Sequence, residues 1–355
     1  MKNMNIFQNR SVFLTGHTGF KGSWLTLWLH KLGAQIHGYS LPPESPSLFK
    51  EANIAELLTS HTLADIRDTT ALNRVLQKAQ PEIIFHLAAQ SLVRRSYLDP
   101  RQTFETNILG TVNLLEAARQ LDSLRVIQII TSDKCYAFAN EPRHETAPLG
   151  GNDPYSASKA AVELITNAYR SSFFNQVSIA TVRSGNIIGG GDWAQDRLIP
   201  DCIRSLQKNE PILIRNPTAI RPWQHILDPL AGYLQLVAHQ WTNPHNFSTA
   251  FNFGPLPASH ITVQALVNRI IAAWNGEANV PDCYHGVPDT RIATQFHESP
   301  TLRLDITKAQ SLLQWQPRHT IDQAITKTIQ WYKARLTPTF NARDLCLTQI
   351  ANYQH

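Results

Sequence analysis

"SVFLTGHTGFKGSW", residues 11–24, decides the fold. "SVFLT" is a short apolar run with a β-branched residue near its start, as expected of a strand. Gly16, Gly19 and Gly22 follow at three-residue spacing, and "KGSWLTLWLHKLG" then reads as a helix that stops at Gly33. Glycines between a strand and a helix give a tight turn and let the backbone come close to a pyrophosphate, whose charge then rests on the helix N-terminus. The spacing is GxxGxxG rather than GxGxxG, and its place at the first strand–helix turn points to dinucleotide binding. Thr18, Phe20 and Lys21 share the loop and join the glycines as candidate cofactor contacts.

Working outward, strand and helix patterns alternate. "AQIHGYSL", "PEIIFHLAA", "RVIQIITS" and "VSIATVRSGNII" read as strands. "TTALNRVLQKAQ", "DPRQTFETNILGTVNLLEAARQ" and "DPYSASKAAVELITNAYRSSFF" read as helices. This alternation predicts an α/β fold, a doubly wound parallel Rossmann sheet covered by helices on both faces. Beyond about residue 185 the pattern loosens into Pro- and Arg-containing loops before the helices around "ITVQALVNRIIAAWNG" and "IDQAITKTIQWYKARL". The expected organisation is a dinucleotide domain over 1–184, which also receives part of 221–254, and a smaller substrate domain over 185–355. A cleft is expected between them.

Bulk properties exclude several classes. The 355 residues are 43% hydrophobic and 17% charged, with 32 basic and 27 acidic side chains for a net charge of +5. The basic residues are scattered among acids rather than striped along one face, so no nucleic-acid partner is expected. Cys135, Cys202, Cys283 and Cys346 are far apart without a CxxC pair, which signals neither a metal site nor a disulfide framework. No run of eighteen apolar residues is present, and "MKNMNIFQNR" lacks an apolar signal region. These features predict a cytoplasmic protein with no membrane partner.

The second strand ends "GYSLPP" with no acid to hold an adenosine ribose, which leaves NAD and NADP equally open at that position. Asp65 and Ile66 in "ADIRD" are candidate adenine contacts, although Asp65 reads equally as a loop acid. The small residues of "HLAAQS", with Leu87, Ala88 and Ala89, let a cofactor lie against the sheet edge. Asn107 is a further candidate for the cofactor, and Ser91 for the substrate.

Two stretches carry chemistry. In "NDPYSASK", Asp153 suits an N-cap and Pro154 the first helical position, so Tyr155 and Lys159 lie one turn apart on one face. A lysine beside a phenol favours the phenolate. In "TSDKCY", Ser132, Asp133 and Lys134 follow a buried strand, and the acid and base converge only where that strand has already ended. The helix after Asp153 is apolar nearly all round, through Ala160, Val162, Leu164, Ile165 and Ala168. Both of its sides are expected to be covered, one by a second copy in a homodimer or higher homo-oligomer.

With the glycine loop, Ser132 and the Tyr155–Lys159 pair in place, the chain resembles the extended short-chain dehydrogenase/reductases, the nucleotide-sugar epimerase and dehydratase family. The resemblance extends through "RSGNIIGGGDW", "RPWQHILDP", "FNFGP" and "LRLDITKAQSLLQWQP". More narrowly, "GHTGFKGSWL", "TSDKCY", "RNPTAIRPWQH" and "DRLIPD" are similar to the dehydratase branch of bacterial deoxysugar synthesis. That similarity implies NAD as cofactor and a nucleotide sugar, CDP-glucose, as substrate. It implies oxidation at C4, loss of water across C5 and C6, and return of the hydrogen to C6. Ser132, Asp133, Lys134, Tyr155 and Lys159 would be catalytic, with Tyr155 and Lys159 also facing the cofactor. Arg221 is the first candidate for the diphosphate, and the resemblance adds Asn186, Arg197 and Arg215. His225 and Trp223 read equally as core. Two departures stand out: Lys134 occupies the place of a glutamate base in related dehydratases, and "AFANEPRHETA" lacks the aromatic-rich segment expected before "PLGG". A nucleotide-sugar epimerase or reductase, which needs no acid–base pair after the serine, is the enzymatic alternative. A silent cofactor-sensing module would have lost Tyr155 or Lys159.

Overall fold

The computed structural model describes residues 4–276, 287–288 and 302–354; Cys283 lies outside them. Its centre is a seven-stranded, all-parallel sheet. Six of its strands come from the first half: β1 (Ser11–Thr15), β2 (Gln35–Ser40), β3 (Ser60–Leu63), β4 (Ile83–His86), β5 (Val126–Ile130) and β6 (Ser178–Arg183). Their spatial order is β6, β5, β4, β1, β2, β3, with the short strand Phe251–Asn252 beyond β6. The order reverses beside β1, and such a switch point opens a crevice at the carboxyl ends of the strands.

Alternate side chains of the buried strands feed two cores. Phe13, Ile84 and Ile127 pack with Leu72, Leu76, Leu114 and Leu115 from the helices on one face. Val12, Leu14, Phe85 and Val126 pack with Trp24, Trp28, Leu234 and Val237 on the other. The sheet is therefore covered on both sides, as the unbroken burial of β4 and β5 reflects.

Three elements differ from their sequence reading. The helix expected over 99–120 is interrupted by a π-turn at Glu105–Leu109, where Asn107 turns inward. The strand expected over 177–188 ends at Arg183, and left-handed Asn186 (φ 46°) redirects the chain so that Ile187–Ile188 pairs with Gln224–His225. Helix Leu227–Thr242, unrecognised in the sequence, lies buried against the sheet and returns the chain to its edge at Phe251–Asn252. Much of the rest of the second half forms a cover over the carboxyl ends of the strands. Helix Leu198–Lys208 carries that cover together with Ile220–Pro222 paired antiparallel to His260–Thr262 and helices Val263–Asn275 and Ile321–Ala334. No described helix is long and apolar enough to cross a membrane.

Candidate active site

Between the sheet and this cover lies a cleft of about 690 Å³. Every site residue expected from the sequence lines it except Asn107.

The glycine loop forms one end. Gly16 has φ +74°, and a Cβ there would stand 2.7 Å from the Ala88 backbone nitrogen, so only glycine fits the turn. A Cβ on Gly22 would stand 2.2 Å from the Gly16 oxygen, which presses the first helix (Phe20–Lys31) against the strand end. Gly19 is the N-cap and has no side chain to satisfy the first-turn amides, which leaves them available to an anion. Thr18 is engaged elsewhere: its hydroxyl bonds Ser40 Oγ at 2.8 Å and donates to the Leu41 carbonyl at 2.9 Å, tying the loop to β2. Asp65 lines the cleft, but its carboxylate accepts from the Arg67 backbone and guanidinium. Arg67 thereby holds that carboxyl below its ordinary range. Ile66 is buried beside it.

Asn107 is a correction to the expected cofactor contact. It is buried behind the cleft with its amide donating to the Gln90 carbonyl at 3.0 Å and Ser158 Oγ at 2.8 Å, while its oxygen accepts from the Gln90 amide at 2.8 Å. It fixes the Leu87–Ser91 loop without touching the cavity. A buried chain from Thr15 through His86 to Thr111 holds the start of the same loop. Burial pushes the His86 imidazole down to about 3, so it serves as a neutral bridge.

β5 ends at Ile130, and Asp133–Cys135 forms a 3-10 turn capped by Ser132, whose hydroxyl accepts from the Lys134 amide. Because the strand has ended, Asp133 and Lys134 both reach the cleft rather than opposite faces of the sheet. Ser132 Oγ donates to Asp133 Oδ1 at 2.9 Å. Asp133 Oδ2 is buried without a hydrogen-bond partner. A Cβ on Gly185 would stand 1.9 Å from that oxygen, so the carboxylate rests directly on a glycine backbone.

Tyr155 lies in the first turn of helix Pro154–Phe173, which Asp153 caps by accepting from the Ser156 amide. Burial pushes the phenol up to about 12, partly countered by its bond to Ser132. The net direction is upward, opposite to the lowering expected beside Lys159. The Lys159 ammonium donates to the Ile130 carbonyl at 3.2 Å, and burial pushes it down to about 8, with Glu163 opposing. Lys21 stands in the same electrostatic neighbourhood. Burial, Arg197 and Lys159 push it down to about 7, against the pull of Asp133.

On the facing wall, Arg197 bonds Asp192 at 3.1 Å and Ser91 Oγ at 3.0 Å, and Arg215 bonds Asp196 at 2.8 Å. Arg221 is 5% exposed and lines the cleft. Trp223 lines it too, whereas His225 belongs to the core beside Trp24 and His319.

Sequence reading missed the support beneath the Ser132–Cys135 turn. Glu163, one helical turn past Lys159, accepts from Thr131 at 2.5 Å, Thr181 at 2.6 Å and both Nε and Nη2 of Arg183. Arg183 donates onward to Tyr136 OH at 2.6 Å, and Tyr136 to Asn252 at 2.7 Å. The available signal was an acid one turn after Lys159, flanked by Val162 and Leu164.

A family model described as GDP-mannose 4,6 dehydratase matches residues 13–328. The chain belongs to this dehydratase family. Among relatives, a CDP-glucose 4,6-dehydratase of Salmonella typhimurium is 44% identical over 344 residues, covering 94% of this chain and 93% of that protein. Two solved structures share the dehydratase fold. A dTDP-glucose 4,6-dehydratase from Bacillus anthracis in complex with NAD matches with TM-score 0.75 and 20% identity, over 93% of this chain and 97% of that one. A UDP-glucuronic acid 4-epimerase from Bacillus cereus with UDP-glucuronic acid and NAD matches with TM-score 0.73 and 22% identity, over 91% and 98%. A dehydratase and an epimerase thus share one scaffold with this chain, and function is argued from the site.

Proposed function

We propose that the chain is an NAD-dependent 4,6-dehydratase that converts CDP-glucose to the 4-keto-6-deoxy sugar nucleotide. The observation that carries this reading is the convergence of Ser132, Asp133, Lys134, Tyr155 and Lys159 on one cleft. Identity of 44% over 94% of the chain to a CDP-glucose 4,6-dehydratase supports the substrate. The glycine loop, with its uncapped helix start and closely packed Gly16 and Gly22, fits the pyrophosphate of the dinucleotide. When bound, NAD supplies the hydride acceptor and donor for C4 and C6.

The protein's own part is proton management and positioning. Tyr155 accepts the proton of the C4 hydroxyl, and Ser132 hydrogen-bonds the same oxygen. Lys159 would hold the cofactor ribose and, when charged, favours the phenolate. The C4 ketone acidifies the C5 hydrogen. Lys134, as a neutral amine, takes that C5 proton, and Asp133 as a carboxylic acid gives its proton to the departing C6 hydroxyl. An epimerase shares the fold and the Tyr155–Lys159 pair but has no use for Asp133 and Lys134.

The deciding assay incubates the protein with NAD and, separately, CDP-, GDP-, UDP- and dTDP-glucose, and follows loss of one water by mass. Water loss with CDP-glucose alone is expected. Turnover that interconverts sugars without water loss would replace the reading with epimerisation, and a Lys134→Ala protein that eliminates water at full rate would remove the lysine from the mechanism. The chain also works as a homodimer or higher homo-oligomer in the cytoplasm. Leu109 at 53% and Leu164 at 61% exposure crown neighbouring helices and leave an apolar face for a second copy. Replacing both with lysine is expected to yield monomers in sedimentation, and an unchanged mass would exclude this face.

A further inference from the structure

Two side chains given no role above, Arg94 and Asp196, meet the diphosphate candidate Arg215 at the mouth of the cleft. Arg94 lies in the short helix Val93–Leu98 on the sheet side, and Arg215 follows the strand Leu213–Ile214 on the cover. Both donate to one oxygen, Asp196 Oδ1, at 2.6 Å from Arg94 Nη1 and 2.8 Å from Arg215 Nη2. Asp196 sits in left-handed backbone, φ 61°, just before helix Leu198–Lys208. Its carboxylate is 38% exposed and all three residues line the cavity.

One anionic oxygen between two guanidiniums is the arrangement a phosphate oxygen adopts, since guanidinium groups donate to phosphate and carboxylate alike. A half-exposed carboxylate with a single charge holds such groups weakly. A diphosphate carries more charge and more acceptor oxygens, so it competes well for the same donors. We infer that Asp196 is a resident counter-anion that occupies the diphosphate position between Arg94 and Arg215, and that substrate binds by displacing it. Arg94 thereby becomes a diphosphate-binding residue, and Asp196 a positioning residue that sets affinity through the two arginines. This rests on the substrate being a nucleoside-diphosphate sugar, as proposed above.

The test measures CDP binding to the full chain by calorimetry at saturating NAD, with cytidine as the phosphate-free control. Asp196→Asn keeps a residue suited to left-handed backbone but removes the charge, and it is expected to bind CDP about five-fold more tightly. Asp196→Glu, which retains a competing carboxylate, should stay near the wild type. Arg94→Ala should weaken CDP binding and, combined with Asp196→Asn, cancel the gain. Cytidine binding should be the same in every variant. An Asp196→Asn protein that binds CDP equally or less tightly, or a gain that survives Arg94→Ala or extends to cytidine, would overturn the inference. If the wild type dehydrates CDP-glucose in that case, the functional reading stands without it. A wild type that neither binds CDP nor dehydrates any of the four sugars would overturn both.

Discussion

At the scale of single residues, the space around Asp133 is set by Gly185. A methyl group there would fall 1.9 Å from the acid's unpartnered oxygen, so Gly185→Ala must move either the carboxylate or the strand end. The expected cost is about 1–3 kcal/mol of stability, with kcat reduced by about 100-fold because the acid is misplaced. Urea unfolding and turnover of CDP-glucose check the two effects separately, and an alanine variant with native kcat would mean that Asp133 is not the acid. Lys159 gives a prediction in pH. Its folded value, about 8, lies below the ordinary 10.5, so the folded state gives up the proton more readily than the unfolded chain. The protein is therefore penalised at pH values below 8, and the penalty fades as pH rises from 8 to 10.5. Lys159→Met is expected to lose activity yet be more stable at pH 7 by up to about 3 kcal/mol, with the advantage gone near pH 10.5. A variant less stable at both pH values would show that the bond to Ile130 outweighs desolvation. Tyr155 and Lys159 were legible because a single helical turn relates them, and Ser132 to Lys134 because they are contiguous. Arg94 and Asp196 meet across 102 positions, and no local pattern announces such a pair.

At the scale of elements, the Ser132–Cys135 turn depends on an ion pair that holds β5, β6 and the tyrosine helix together. Glu163 and Arg183 are 3% and 4% exposed at their side chains and lie 2.7 Å apart. Burial of both charges is tolerated because the carboxylate accepts four hydrogen bonds and the guanidinium also reaches Tyr136 and the Glu145 carbonyl. Glu163→Gln leaves the guanidinium without its counter-charge and is expected to cost about 3–5 kcal/mol, measured as a lower urea midpoint. Because the amide nitrogen of Gln only donates, either Thr131 or Thr181 loses its acceptor; Thr131 precedes Ser132, so kcat should fall more than the affinity for CDP. A loss confined to stability, with kcat intact, would make the pair a fold element only. The alternation of the first half was legible for a related reason: β-branched runs and capped amphipathic helices are determined locally. The π-turn at 105–109 was not, since it exists to aim Asn107 at Gln90, a tertiary contact.

At the scale of the molecule, the second half of the chain returns to brace the first. Helix Ala342–Gln354 buries Cys346, Ile350 and Tyr353, the last edge-on to Trp28 of the first helix with ring centroids 5.6 Å apart. Tyr353 also donates to Asp228 Oδ1 at 3.0 Å, and Arg343 donates to the Ala52 carbonyl at 2.8 Å. Asp228 is fully buried and accepts in addition from Arg318 and His319, so the final helix, the loop before Ile321 and the sheet-covering helix Leu227–Thr242 meet on one carboxylate. None of this was legible in the sequence. A helix reads its own periodicity, whereas its docking partner here lies more than three hundred positions away and is recognised only by shape and burial. The first helix carries the glycine loop at its N-terminus, and the last helix therefore helps to hold the cofactor site in place. Deletion of residues 341–355 would expose Trp28 and strip a donor from Asp228. It is expected to lower Tm by at least about 5 °C and to weaken NAD binding, while saturating NAD should narrow the Tm difference only partly, because ligand stabilisation scales with the remaining affinity. Scanning calorimetry with and without NAD reads both effects. Equal Tm values for the full and shortened chains would show that the final helix is an appendage, and that the glycine loop is positioned by the sheet alone.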